Sequence, residues 1–256
     1  MTWLIGLWGL MFFPITAPIC TIALIIIIAK RCSDRANYNY RKNNEMYHNS
    51  EYYKQTGNEQ YKVRYDKGIN GEYTIQNSLQ YIQGYKKFLF NTYLYKADGT
   101  TTEIDIIMIH ESGIHIYESK NYSGTIVGSE KYSIWTEKFF SRNTGYKEYD
   151  FYNPYMQNST HMNAIMNFLK SDYPNISYFS YIVFGNNANI NQIETTSNRH
   201  SIIKIMQVNN ATKSNIYNTN PCLTMNDIDR IYNKLYPYTQ LQNYVKEQHK
   251  MNLNNF

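Results

Sequence analysis

EIDIIMIHESGIHIYESKN, residues 103–121, sets Glu103, Asp105, Glu118 and Lys120 inside two apolar runs. The runs have the length and β-branched content of buried strands, and HESG between them has the composition of a tight turn. A buried strand is a costly place for charge unless the charges are paired or hold a metal. Strand alternation puts Glu103 and Asp105 on one face, with Ile104, Ile106 and Met108 on the other. In the next strand Ile114, Ile116, Glu118 and Lys120 share a face. Glu118 and Lys120 thus emerge side by side, about 6–7 Å apart along the chain.

Two structural readings account for these residues one pair at a time. Glu118 and Lys120 suit a same-face ion pair at a strand end, and Glu103 with Asp105 a solvated edge. Taken together, they also suit a site for phosphodiester hydrolysis. Two carboxylates bind a hard cation through oxygen. The cation neutralises charge at a phosphate and acidifies its bound water, and a lysine orients the nucleophile or holds the phosphate.

The flanking sequence is that of an α/β domain. FNTYLY and the turn KADG precede the charged pair of strands. DKGINGEYTIQNSLQYIQGY (66–85) places Ile75, Leu79 and Ile82 at helical spacing, with Glu72 on the same stripe. A first-turn glutamate favoured by the helix dipole is the ordinary account of Glu72; a carboxylate facing the sheet toward a metal is the other. Downstream, strands are expected at 131–142, 145–151, 176–185 and 200–208. Asn153-Pro154 has the chemistry of an N-cap and N1 for a helix over 154–170. TMND (224–227) has capping-box spacing ahead of another helix.

This ordered set resembles the NERD (nuclease-related) domain within the PD-(D/E)xK, restriction-endonuclease-like superfamily. The residues that carry it are GINGE, then TEIDIIMIHESGIHIYESKNYSGTIVG, Trp135 and NPYMQ at 153–157. The resemblance spans about residues 66–185. It implies that Glu72, Asp105 and Glu118 are metal-binding carboxylates and that Lys120 completes the ExK pair. It further implies that Gln157, in the first helical turn, contacts water or substrate phosphate. His161 lies one turn on, at i+4, where it can support Gln157, though a surface or satisfied core histidine is the more ordinary account. The expected cofactor is Mg2+ or Mn2+, and the expected substrate is nucleic acid, DNA before RNA. The proline usual before the aspartate is Ile104 here.

The N-terminal segment has a different character. From Trp3 to Ala29 there is no charged side chain, and Lys30, Arg31 and Arg35 follow. Such a run suits a single membrane-spanning helix, and the positive flank puts the N-terminus outside and the following domain in the cytoplasm. The expected organisation is an anchor over 1–32, a polar linker over 33–65, a nuclease-like domain over 66–208 and a helical extension over 209–256. The fold expected is a restriction-endonuclease-like mixed sheet flanked by helices.

Composition excludes several alternatives. Three cysteines without CxxC spacing make neither a structural zinc site nor a disulfide framework. No P-loop or Rossmann glycine pattern is present, so no nucleotide cofactor is expected. A net charge of +5 permits a polyanionic partner without demanding one. Two further readings stay open: a catalytically silent, membrane-tethered module that binds nucleic acid or protein, and a membrane protein in which the polar linker matters most.

Overall fold

The computed structural model describes residues 5–142 and 145–241, with side chains described at 21–22, 24–142 and 145–241. It separates into two units, Met1–Ser50 and Glu51–Phe256.

In the first unit, one helix, α1, runs from Ile5 to His48. Its polar second half, read from sequence as the start of a linker, continues the same helix. Among the described residues no helix is long and apolar enough to cross a membrane. The expected anchor at 3–29 falls mostly on residues whose side chains, at 1–20 and 23, lie outside those described.

The second unit begins with two short helices, α2 (Glu51–Thr56) and α3 (Gln60–Tyr65), and then α4 (Lys67–Leu79). Strands β1 (Lys86–Tyr95), β2 (Thr101–His110) and β3 (Gly113–Lys120) follow as an antiparallel meander. Gly113 turns the chain at φ +129°, where a Cβ would stand 2.2 Å from the Ser177 carbonyl oxygen, so only glycine fits. A second set of strands comes next: β4 (Thr125–Ser129), β5 (Ile134–Ser141) and β6 (Gly145–Tyr152). Helix α5 (Pro154–Leu169) then crosses to β7 (Tyr178–Phe184), β8 (Asn189–Glu194) and β9 (Ser201–Lys204). Helices α6 (Val208–Tyr217) and α7 (Met225–Leu235) follow.

Two mixed sheets result. The first has the order β1-β2-β3-β7-β9, antiparallel on the β1 side and parallel from β3 onward. The second has the order β6-β5-β4-β8. The main core forms where α5 and α7 lay Ile165, Leu169, Ile228 and Ile231 on Leu89, Ile107, Ile109 and Ile116 of the first sheet. Trp135, Ile126 and Phe184 build a second core beneath the second sheet. Gly128 lies flat under Trp135, whose ring is 2.3 Å from where a Cβ would stand.

Residues 51–65, read as linker, belong to this unit. Gln55 explains why: its amide nitrogen donates to the Phe88 carbonyl at 3.0 Å and its oxygen accepts from the Phe90 amide at 3.0 Å. The side chain pairs with the open edge of β1 in place of a further strand. The segment read as an extension also contributes to the main core, through Leu223, Ile228, Ile231 and Leu235.

Candidate active site at the fork of two strands

The paired ladder between β2 and β3 ends at Ile106–Tyr117. One step further in the same register, Asp105 stands opposite Glu118. Here β3 leaves β2 but continues alongside β7, with Glu118 opposite Ile182 and Lys120 opposite Phe184. At the fork the Ser119 amide no longer pairs with a strand carbonyl; it donates to Asp105 Oδ2 at 2.8 Å. The strand departure therefore aims a backbone donor and an aspartate at each other.

Glu118 is 1% exposed and both its carboxyl oxygens are engaged. Lys120 Nζ lies 2.8 Å from Oε1, and His161 Nε2, from α5, lies 2.9 Å from Oε2. His161 Nδ1 in turn meets the Thr102 hydroxyl at 2.8 Å. Burial alone would raise the Glu118 carboxyl; Lys120 and His161 outweigh it and hold the group down at about 2. Burial acts downward on Lys120, but Glu118 and Asp105 keep its ammonium well above the ordinary lysine range.

Asp105 and Glu72 lie on the other side of this balance. Burial and then the carboxylates of Glu118 and Glu72 push Asp105 well above the usual carboxylate range, with Lys120 and the Ser119 amide offsetting only part. Burial and Glu103 push Glu72 up to about 8, against a hydrogen bond from the Tyr52 hydroxyl at 3.4 Å. Four acids, Glu72, Glu103, Asp105 and Glu118, thus act on one another beside the single ammonium of Lys120, and their crowding helps to raise Glu72 and Asp105.

Glu72 arrives from α4, whose approach depends on two local features. Asp66 caps the helix by accepting the Ile69 amide at 3.0 Å, and Asn121 Nδ2 donates to the Lys67 carbonyl at 2.8 Å. Gly71 then rests against β3, where a Cβ would stand 2.7 Å from Ser119 Oγ. Asn153 caps α5 with its carbonyl on the Tyr155 amide at 2.8 Å, and its amide donates to Ser129 and Tyr132 carbonyls. The NP pair read as a helix start therefore also fixes α5 to the second sheet.

Of the residues expected from sequence, the structure brings Asp105, Glu118, Lys120 and Glu72 into one electrostatic group. Gln157 is half-buried in the first turn of α5, and its side chain makes no hydrogen bond to them. The helix reaches the site through His161 instead. Tyr52 and Thr102 join it without a signal in the sequence, being an ordinary tyrosine in a polar stretch and a strand threonine.

The donor set fits a hard divalent cation. Asp105, Glu118 and Glu72 offer carboxylate oxygens crowded enough to raise one another, a repulsion that an added cation would relieve. Among the described residues, no three His, Cys, Asp or Glu side chains already form a metal cage.

Residues 67–185 match the family of the nuclease-related domain, NERD. This stretch is therefore similar to that domain over just under half of the chain. The match opens with the helix bearing Glu72 and closes just beyond β7, so it encloses every residue of the electrostatic group. A protein of Bacillus anthracis, described as uncharacterized, is 28% identical over 190 residues, covering 74% of this chain and 84% of its own length. No solved structure matches. A nuclease-related domain points to nuclease-like, hydrolytic chemistry on nucleic acid.

Proposed function

We propose that this protein is a metal-dependent nuclease that hydrolyses phosphodiester bonds in DNA at Asp105, Glu118 and Lys120. The single observation that supports this most is the strand fork, which sets Asp105 against Glu118 while Lys120 stands 2.8 Å from the same carboxylate. Asp105, Glu118 and Glu72 would hold Mg2+ or Mn2+. When bound, the ion would supply charge neutralisation at the phosphate and a more acidic water. Lys120, one-fifth exposed, carries a positive charge into an otherwise acidic cluster and can hold a phosphate oxygen or orient the attacking water. His161 holds Glu118 in place. Anchoring to a membrane through residues 3–29, with the domain cytoplasmic, is part of the proposal and rests on that apolar run and its basic flank.

The test uses the full chain purified in detergent, with plasmid DNA and a matching RNA, with and without Mg2+ or Mn2+. Metal-dependent cutting of DNA that disappears in Glu118→Ala and Lys120→Ala is the expected result. Cutting that survives both substitutions removes the site assignment.

One observation favours a second reading, a silent binding module of the same fold. Both Glu118 oxygens are already taken by Lys120 and His161, so that carboxylate is satisfied without a metal. That reading requires binding of nucleic acid without cleavage at any metal concentration.

A further inference from the structure

The outer face of the second sheet carries an unpartnered groove of about 660 Å³. Pairing across the strands sets Asn189, Thr125 and Lys138 in one row, and Phe140 beside Tyr146 in the next. Gln192 completes the lining used here. Phe140 is 74% exposed and Tyr146 61%, although an exposed pair of adjacent rings loses apolar burial for no structural return. The inner face of the same sheet already buries Trp135 and Ile126, so the core does not require these rings.

We infer that this groove binds single-stranded nucleic acid, with bases stacked on Phe140 and Tyr146 and a phosphate on Lys138. The chemistry of the lining selects that occupant. Aromatic faces accept any base, and side-chain amides such as Asn189 and Gln192 present both donors and acceptors to base edges. Among the described residues lining the groove Lys138 is the one with an ionic side chain, and it supplies a single positive charge. Its partner Glu148, at 3.1 Å, is an exposed counterion of little energetic weight, which a phosphate can replace. In a duplex the base faces are already stacked on one another and closed to the rings, so a single strand fits and a duplex does not.

The groove also adjoins the proposed site, and this inference rests on that reading for its biological meaning. Ser123, at its near end, is three residues beyond Lys120, within about 11 Å along the chain. The connection is fixed: Glu137 Oε1 accepts from the Ser123 and Gly124 amides at 2.9 and 2.8 Å. A Cβ on Gly124 would stand 2.5 Å from the Lys138 carbonyl oxygen, so β5 presses directly on that loop. The segment that leaves Lys120 thus forms one end of the groove.

The experiment is fluorescence anisotropy on the full chain in detergent and EDTA, with fluorescein-labelled oligo-dT and a duplex of equal length. Wild-type protein is expected to bind the single strand at least ten-fold more tightly than the duplex. Phe140→Ala with Tyr146→Ala should weaken that binding ten-fold or more, while Phe140→Tyr and Tyr146→Phe, which keep the rings, should bind as wild type. Circular dichroism melting checks that the alanine pair is folded. Equal affinity for duplex, or binding indifferent to the alanine pair, overturns the inference. Ring-dependent binding without any metal-dependent cutting would leave the groove standing and remove the nuclease reading. Cutting of single strands at an unchanged rate in the alanine pair would do the reverse.

Discussion

His161 Nε2 lies 2.9 Å from Glu118 Oε2, and the two side chains are 2% and 1% exposed. In that setting the histidine fixes which way the carboxylate faces. Removing it leaves one buried oxygen without a partner and frees Glu118 to rotate toward Lys120. His161→Ala is therefore expected to lower metal-dependent cutting about 10–100-fold, the usual effect of losing a residue that orients a metal ligand. Cutting rates across a range of Mg2+ concentrations measure it, and Thr102→Val should show a smaller loss in the same direction.

Asp105 separates activity from stability. Its carboxylate is held against burial and two like charges, so the metal-free fold is better off without it. Asp105→Asn should abolish cutting while raising the thermal midpoint of the metal-free protein. Glu118→Gln should abolish cutting too, but lower the midpoint, because it strands the Lys120 ammonium in a mostly buried position. Losing one partner of such a pair costs on the order of 3 kcal/mol. Opposite shifts in two inactive variants, read by calorimetry in EDTA, distinguish a site built for an added cation from a structural ion pair.

Much of this arrangement was legible in the sequence because charge inside an apolar strand is locally conspicuous. Asp105, Glu118 and Lys120 stand out within nineteen residues, and the Asn153 cap and the Thr224–Asp227 capping box are likewise local chemistry. What escaped depends on distant partners. Strand β8, NINQIE, is largely exposed and polar, and it pairs in parallel with β4 some sixty residues earlier, so neither shows the alternation of a buried strand. Gln55 reads as a linker residue until its side-chain amide is seen bonding the Phe88 carbonyl and the Phe90 amide on the edge of β1. His161 lies 43 residues from Glu118, and helical spacing from Gln157 hinted at its role without identifying its partner.

Stability should depend on pH in opposite senses from two sets of groups. Burial and the charge of His110 hold His115 down to about 3, and burial holds His200 down to about 4, both below the ordinary 6.5. The unfolded chain takes those protons first, so this stability is complete above about pH 6.5 and declines as pH falls. For His115 alone the loss by about pH 4 is on the order of 3 kcal/mol. Glu72 runs the other way. Its folded pKa of about 8 exceeds the ordinary 4.5, so the folded state keeps a proton that the unfolded chain gives up. That contribution is present below about pH 4.5 and lost as pH rises through about 8. Metal-free Glu72→Gln protein should therefore decline less between about pH 7 and 8 than wild type, keeping only the part that the likewise raised Asp105 contributes. A parallel decline in both would remove Glu72 as its source.

Gly71→Ala tests whether α4 must lie against β3 for the site to work. In an ordinary helix interior the change stabilises by about 0.5–1 kcal/mol through propensity. Here the new Cβ would stand 2.7 Å from Ser119 Oγ and 3.0 Å from Asn121 Cβ, so helix or strand must shift. Overpacking of this kind costs about 1–3 kcal/mol, which exceeds the propensity gain. Net destabilisation should therefore be modest, about 1–2 kcal/mol by urea melting. The effect on activity should be larger. Ser119 lies between Glu118 and Lys120 and donates its amide to Asp105, while Glu72 is the next residue on the helix. A displacement of a few tenths of an ångström thus moves every carboxylate of the proposed cation site at once. Cutting should fall at least ten-fold at saturating Mg2+ in protein that remains folded, and Gly68→Ala, whose nearest neighbour is an oxygen of its own Asp66 cap at 3.4 Å, should leave it nearly unchanged. Equal rates for Gly71→Ala and wild type would mean that the contact between helix and strand has no part in placing Glu72.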